Sequence, residues 1–162
     1  FRRYKAWTQE GGISTPLIAR WPGKIKAGTL TAEVGHIIDF LPTFAEIAGG
    51  SYPAEYKGRS ILALEGISLL PVLKGGVRKG HDVLCWYWGG SHAARQGSWK
   101  LVWEKTEKRW ALYDLEKDRT ETNDLSGQHP EKVELLKKAY QEWRRRTGAP
   151  EPKGPKKKAG KK

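Results

Sequence analysis

Lys5-Ala6-Trp7-Thr8-Gln9-Glu10-Gly11-Gly12-Ile13-Ser14-Thr15-Pro16, running on through Leu17-Ile18-Ala19-Arg20 to Trp21-Pro22-Gly23-Lys24, opens the chain. A basic residue stands just ahead of paired glycines. Glycine supplies backbone conformations with positive φ and tolerates close approach by another segment, so Gly11-Gly12 reads as a tight turn that aims Trp7 to Glu10 at a definite place. The apolar run Pro16 to Ala19 has the length of a buried strand and stops at Trp21-Pro22-Gly23.

Outward from this turn the pattern is helical over residues 31–50. Asp39 is placed to cap, Pro42 falls in the first turn, Phe40, Leu41, Phe44, Ile47 and Ala48 share a face, and Gly49-Gly50 ends the helix. Residues 51–80 are loop-rich, and Gly75 to Gly80 reads as an exposed linker. From Asp82 the period changes to alternation. Val83 to Trp88 predicts one strand, Ala93-Ala94-Arg95 lies on another, and Trp99, Leu101 and Trp103 face one side of a further strand with Lys100, Val102 and Glu104 on the other. Trp110, Leu112, Tyr113 and Leu115 mark a last strand beyond a polar hairpin loop at residues 106–109. Such an antiparallel meander needs a cover for its apolar face. The cover is a helix that starts at His129-Pro130-Glu131, with Val133, Leu136, Tyr140 and Trp143 as its seam, arginines at its end and Gly148 as its stop.

Composition bounds the function. The chain has 162 residues, 38% of them hydrophobic, with eight tryptophans, which fits a folded domain rather than a disordered segment. Of the net charge of +12, the run from Pro150 to Lys162 carries six lysines against one glutamate, so much of the basic excess belongs to a Lys-rich tail over residues 149–162 expected to be disordered. A specific nucleic-acid partner is therefore not called for by charge alone. One cysteine, Cys85, cannot form an internal disulfide, and no Cys/His spacing fits zinc. No apolar run has membrane-spanning length.

Lys5, four residues, Glu10-Gly11-Gly12, then Pro16 and Trp21-Pro22-Gly23-Lys24-Ile25 resembles the "K-x4-E-G-G-x-R-x-P … W-P-G-x-I" segment of the type I sulfatases. Three further segments resemble that family in the same order: His36 to Phe44, Gly66-Ile67-Ser68-Leu69-Leu70-Pro71-Val72-Leu73-Lys74-Gly75, and the pair Ala93 to Val102 with Leu112 to Leu125. Ser14 stands where the family has arginine, Arg119 where it has proline, and Asp124 is an extra residue before Leu125. The resemblance implies the C-terminal portion of an alkaline-phosphatase-like α/β sulfatase. Residues 1–76 would be the remnant of the large α/β domain, and residues 77–148 a small antiparallel sheet packed on a C-terminal helix. It further implies that the whole enzyme hydrolyses sulfate esters, with Lys5 holding an oxygen of the sulfate. A compact ammonium in a low-dielectric pocket suits the spread negative charge of a transferring sulfuryl group.

The family's nucleophile, a formylglycine made from Cys or Ser in a Cys/Ser-x-Pro-x-Arg motif, and its Ca²⁺ ligands have no counterpart here. Cys85 is followed by Trp86-Tyr87-Trp88-Gly89 and no carboxylate cluster occurs near the turn. Formylglycine and Ca²⁺ are thus expected upstream, the N-terminal part of the same enzyme is the expected partner, and this portion alone is expected to be inert. A periplasmic or secreted location is a family expectation only. His92 is a candidate substrate contact because it precedes Ala93-Ala94-Arg95, at a position that in relatives is near the mouth of the cleft. Its alternative is an exposed strand-edge residue. Trp86, Tyr87 and Trp88 read as sheet core, with at most one outward. Two rival readings are a degenerate sulfatase domain that only binds, and a basic nucleic-acid-binding module.

Overall fold

The structure is a computed structural model that describes residues 1–153; residues 154–162 of the Lys-rich tail lie outside the described residues. The chain forms two compact units, residues 17–81 and the combination of residues 1–16 with the segment from Asp82 onward. A single linear division at residue 76 does not anticipate this grouping. The opening turn belongs with the sheet and helix, about eighty residues away in sequence.

In that sheet unit four strands, β3 (Leu84–Trp88), β4 (Ser91–Gln96), β5 (Trp99–Glu104) and β6 (Arg109–Asp114), form an antiparallel meander in chain order, as alternation predicts. Register sets Ala94 opposite Leu101 and Leu101 opposite Leu112, a row that faces helix α4 (Pro130–Thr147). Val133, Leu136 and Tyr140 of α4 are buried against this row, with Trp99, Trp110 and Trp143 at its margin. Proline in the first turn, Glu131 near the N-terminus, three arginines at the C-terminus and left-handed Gly148 (φ 74°) bound the helix by chemistry already visible in the sequence.

The opposite sheet face is not a solvent face. Ala93, Val102, Ala111, Tyr113 and Leu115 form a second buried cluster there, and Lys100 and Glu104 beside them are fully buried. Beyond β6, Asp124 takes the place of a further strand. Its Oδ1 accepts the Leu112 amide at 3.0 Å while the Leu125 amide donates to the Leu112 carbonyl at 2.8 Å, and Arg109 pairs with Oδ2. On β3, Trp88 and Tyr87 are exposed, so more of the aromatic run faces outward than alternation in a buried strand allows.

The unit of residues 17–81 is organised by a carboxylate rather than by an apolar core. Asp39 ends a 3₁₀ turn (Ile37–Asp39) that leads into α2 (Phe40–Ile47). It caps backwards: Oδ2 accepts the His36 amide at 2.9 Å, whereas α2 receives no side-chain cap from it. Its oxygens also accept the Ile67 amide at 2.9 Å and pair with Arg78 at 2.9 Å and His81 at 2.7 Å. Burial pushes the Asp39 carboxyl up, but these donors outweigh it and hold it below the usual carboxylate range. Arg78 donates further to the carbonyls of Val34 and Ile67, so the stretch read as a loose linker is pinned at its middle. Thr43 closes the unit, donating to the Asp39 carbonyl at 2.6 Å and accepting the Leu69 amide, ahead of α3 (Leu70–Leu73), at 2.8 Å. Between α2 and α3, β1 (Glu55–Tyr56) and β2 (Arg59–Ser60) make a two-stranded hairpin whose two-residue turn, Lys57-Gly58, has positive φ at both positions.

Two expectations fail in this unit. Leu17 and Ile18 are exposed and form no strand, because no neighbouring strand of the unit pairs with them. Leu41 and Phe44 of α2 are exposed as well, so the helix forms where its periodicity places it, yet its apolar face is left largely uncovered by the described residues.

The sheet–helix layer is the stabilising core of its unit. Leu136→Ala, which deletes a side chain 1% exposed at the centre of α4, is expected to lower unfolding free energy by about 2–4 kcal/mol, read from urea midpoints by tryptophan fluorescence.

Candidate functional site

The site begins with Gly11 and Gly12, which fall in the single helical turn α1 (Glu10–Ile13). Neither has positive φ; the pair is required by close approach alone. A Cβ on Gly11 would lie 2.1 Å from the Arg3 carbonyl oxygen, and one on Gly12 would lie 2.1 Å from that of Trp7 and 2.8 Å from that of Tyr4. The preceding segment therefore folds back over the glycines, and the Gly11 amide donates to the Arg2 carbonyl at 3.0 Å. Lys5 sits at the outside of that fold-back.

Both arms of the turn are bonded to the sheet. On one side the Arg2 guanidinium donates to Tyr113 Oη and to the Glu121 carbonyl, both at 2.9 Å, and pairs with Glu104 at 3.3 Å. On the other, Thr8 Oγ1 donates to the His92 carbonyl at 3.1 Å, Gln9 Nε2 donates to Glu104 Oε1 at 3.0 Å, and the Glu10 amide donates to Glu121 Oε2 at 2.7 Å. Beneath these, the fully buried Lys100 ammonium lies 2.7 Å from Glu10 Oε1 and 2.9 Å from Glu121 Oε1. Burial raises the Glu10 carboxyl, but Lys100 outweighs it, leaving Glu10 below its ordinary value. Glu121, more deeply enclosed and facing Glu10 as well, is pushed up by burial. Glu10 is thus a structural acceptor, as its place at a turn suggests.

Lys5 itself is exposed, with no acidic partner among the described residues. Its backbone is held on both flanks while its amine projects outward. Two residues around it, Arg3 (φ 63°) and Ala6 (φ 70°), occupy the left-handed region without being glycine. Strain of this kind persists only where surrounding bonds over-determine the conformation, as those of Arg2, Thr8 and the glycine contacts do.

His92 is not brought to Lys5's surface. Its ring is 1% exposed, Nδ1 lies 2.5 Å from Tyr140 Oη, and the Tyr140 ring meets it edge-on at 5.5 Å. Burial lowers its pKa to about 4, so the neutral ring is a core element between sheet and helix; an enclosed, engaged imidazole cannot meet a substrate. Cys85 is half-buried with its thiol pushed up to about 12 by burial, which keeps it in the unreactive protonated form. Among the described residues no three His, Cys, Asp or Glu side chains converge as a metal site, and the oxygens of buried Asp39 already have their protein donors. These residues do not fit a Ca²⁺ site.

Sequence reasoning missed Lys100, Glu104 and Glu121, which fasten the turn, and it missed one pairing for which a signal existed. Ser14 and Arg119, two departures from the sulfatase pattern 105 residues apart, meet: Arg119 Nη2 lies 3.3 Å from Ser14 Oγ and 3.6 Å from Glu10 Oε2. A guanidinium reaches the turn from the sheet side, where the pattern would have carried one from within the turn.

Comparison with known proteins places this geometry. The family described as N-sulphoglucosamine sulphohydrolase, C-terminal, matches residues 3–146. An uncharacterized sulfatase of Schizosaccharomyces pombe is 31% identical over 148 residues, covering 88% of this chain and 26% of that protein. A sulfatase of Formosa agariphila is 30% identical over 151 residues, covering 83% and 26%. Among solved structures, a protein in complex with its substrate D-glucosamine-2-N,6-O-disulfate superposes with a TM-score of 0.57 at 24% identity, over 82% of this chain and 28% of that one. The chain spans about a quarter of the length of the curated relatives it matches.

Two outcomes test this account. Gly12→Ala forces a methyl group against the Trp7 carbonyl and is expected to cost about 1–3 kcal/mol, with faster proteolytic cleavage within residues 1–12 as the readout. His92, neutral when folded, takes up a proton more readily when unfolded. Its contribution is fully present above about pH 6.5 and is lost as pH falls toward about 4, by roughly 2–3 kcal/mol. Urea midpoints at pH 7.5 and 4.5 are expected to differ less in His92→Gln than in the wild type.

Proposed function

The chain belongs to the sulfatase family as its C-terminal portion, and from that premise we propose that it completes an enzyme that hydrolyses sulfate esters, to which Lys5 contributes a sulfate-holding cation. The observation that carries the reading is the construction of the turn: an exposed ammonium without an acidic partner among the described residues, on a backbone bonded to the sheet on both sides. Fixed donors stabilise developing charge without reorganising during the reaction. A lysine on a mobile loop would lose much of that advantage.

In this reading the nucleophile, a formylglycine, and the Ca²⁺ ligands come from the upstream part of the whole enzyme. No acid, base or nucleophile is assigned to this portion, and without the upstream part it is expected to leave sulfate esters intact. His92 is kept out of the substrate site on its burial. Arg2, Glu10, Lys100, Glu104 and Glu121 act by holding the turn in place.

Lys5→Ala in the full-length protein is expected to reduce kcat for 4-nitrophenyl sulfate by about 10²–10³-fold, with the unfolding midpoint little changed because the side chain is exposed. Lys5→Arg is expected to recover only part of the rate, the planar guanidinium being a poor replacement for a compact charge. Turnover within twofold of wild type in Lys5→Ala would remove Lys5 from the mechanism. A wild-type protein that binds the ester without cleaving it would be the degenerate, binding-only form.

A further inference from the structure

Four residues are too few to hold a helical turn unaided, and α1 has neither a side-chain cap at its start nor a basic residue in its last turn. One loop supplies what it lacks. Between β6 and α4, Asp118 gathers the amides of Thr122 and Asn123, both at 2.8 Å, and the hydroxyl of Thr120 at 2.9 Å, while Glu121 is held in the left-handed region (φ 56°). A backbone fixed in this way sends two side chains to α1. Buried Glu121 accepts the Glu10 amide, and exposed Arg119 meets the Glu10 carboxylate. The two Glu10 oxygens are thereby divided between two cations: Oε1 lies 2.7 Å from the buried Lys100 ammonium and Oε2 lies 3.6 Å from Arg119 Nη2. The same nitrogen lies 3.3 Å from Oγ of Ser14, the residue that caps α1 and whose amide donates to the Glu10 carbonyl at 2.9 Å. Arg119 thus spans the turn from its first residue to its cap. An ion pair with one partner 56% exposed adds little to global stability, so what it shifts is the local balance between a closed and an open turn.

Resting on the reading of Lys5 as a sulfate-holding cation, we propose that Arg119 is a positioning residue for Lys5: it clamps both ends of α1 and so holds the segment that presents the ammonium, in place of the arginine that the sulfatase pattern carries where Ser14 stands. Positions 14 and 119 then work as an exchangeable pair. Ser14 Oγ already lies against the guanidinium, so an arginine side chain rooted at 14 reaches the space that Arg119 fills, and one guanidinium serves where two would repel each other. Arg119 acts on the reaction only through the lysine.

Variants of the full-length protein test this, read by turnover of 4-nitrophenyl sulfate and by amide hydrogen exchange over residues 11–14. Arg119→Gln is expected to lower kcat about three- to tenfold and to speed that exchange about threefold or more, with the global unfolding midpoint little changed. Adding Ser14→Arg to Arg119→Gln is expected to bring both readouts back to within about twofold of wild type, whereas Ser14→Arg alone gives no gain. In the Lys5→Ala background, Arg119→Gln is expected to change kcat by less than about twofold, since a residue that acts by placing the lysine has nothing left to place. Arg109→Gln, which removes another partly exposed ion pair of the same unit, is the control and is expected to leave both readouts within about twofold. Equal loss of kcat with and without Lys5, unchanged kcat or exchange in Arg119→Gln, or no recovery on adding Ser14→Arg would overturn the proposal. Failure of the Lys5 reading is a separate result: Lys5→Ala would then turn over as the wild type does, while exchange over residues 11–14 would still respond to Arg119→Gln.

Discussion

The buried ammonium of Lys100 is the interaction on which the rest of the sheet unit depends. Enclosing a charge without partners is prohibitive, and even a well-paired buried ion returns little more than its desolvation costs. Here two carboxylates 111 residues apart in sequence, Glu10 and Glu121, share the ion. That arrangement does little for net stability and much for position. A hydrophobic residue at 100 would accept the opening segment in many registers, whereas an ammonium accepts it only where both carboxylates converge. The N-terminal turn is thereby indexed to the sheet, and Arg2 with Glu104 repeats the device four residues further along the same strand.

The same logic governs the other unit at smaller scale. Asp39 collects His36, Ile67, Arg78 and His81, so three separate stretches of residues 17–81 are tied to one carboxylate. Few apolar side chains are enclosed there, and the hydrophobic face of α2 is left uncovered by the chain described. In both units polar anchoring sets the geometry; in the sheet unit alone an apolar layer under α4 supplies most of the burial.

Local patterns in the sequence expose the sheet and the closing helix well. Period-two alternation finds β5 and β6, and the 3.6-residue seam of Val133, Leu136 and Tyr140 finds α4 with the correct face inward, because each signal concerns residues a few positions apart. What alternation cannot supply is what lies across the second face. Lys100 and Glu104 have the look of solvent-facing positions, and their burial depends on a segment some ninety residues earlier that no local rule connects to them. His92 misleads for a related reason: its proximity to a cleft is inferred along the sequence, while its enclosure is fixed by Tyr140 on a distant helix. The glycine pair is legible as a tight spot, yet its reason is steric and not the positive φ that a turn suggests. Family resemblance carries the identity of the turn lysine, and only the folded chain reveals that Arg119 arrives beside Ser14.

Asp124, the extra residue in its loop, has a consequence for how the molecule behaves in company. By occupying the amide of Leu112 with a side-chain oxygen, and with the Leu125 amide occupying its carbonyl, it denies that margin of the sheet to any incoming extended peptide. Self-association by strand addition is blocked there by a carboxylate, a safeguard that costs the sequence a single inserted position.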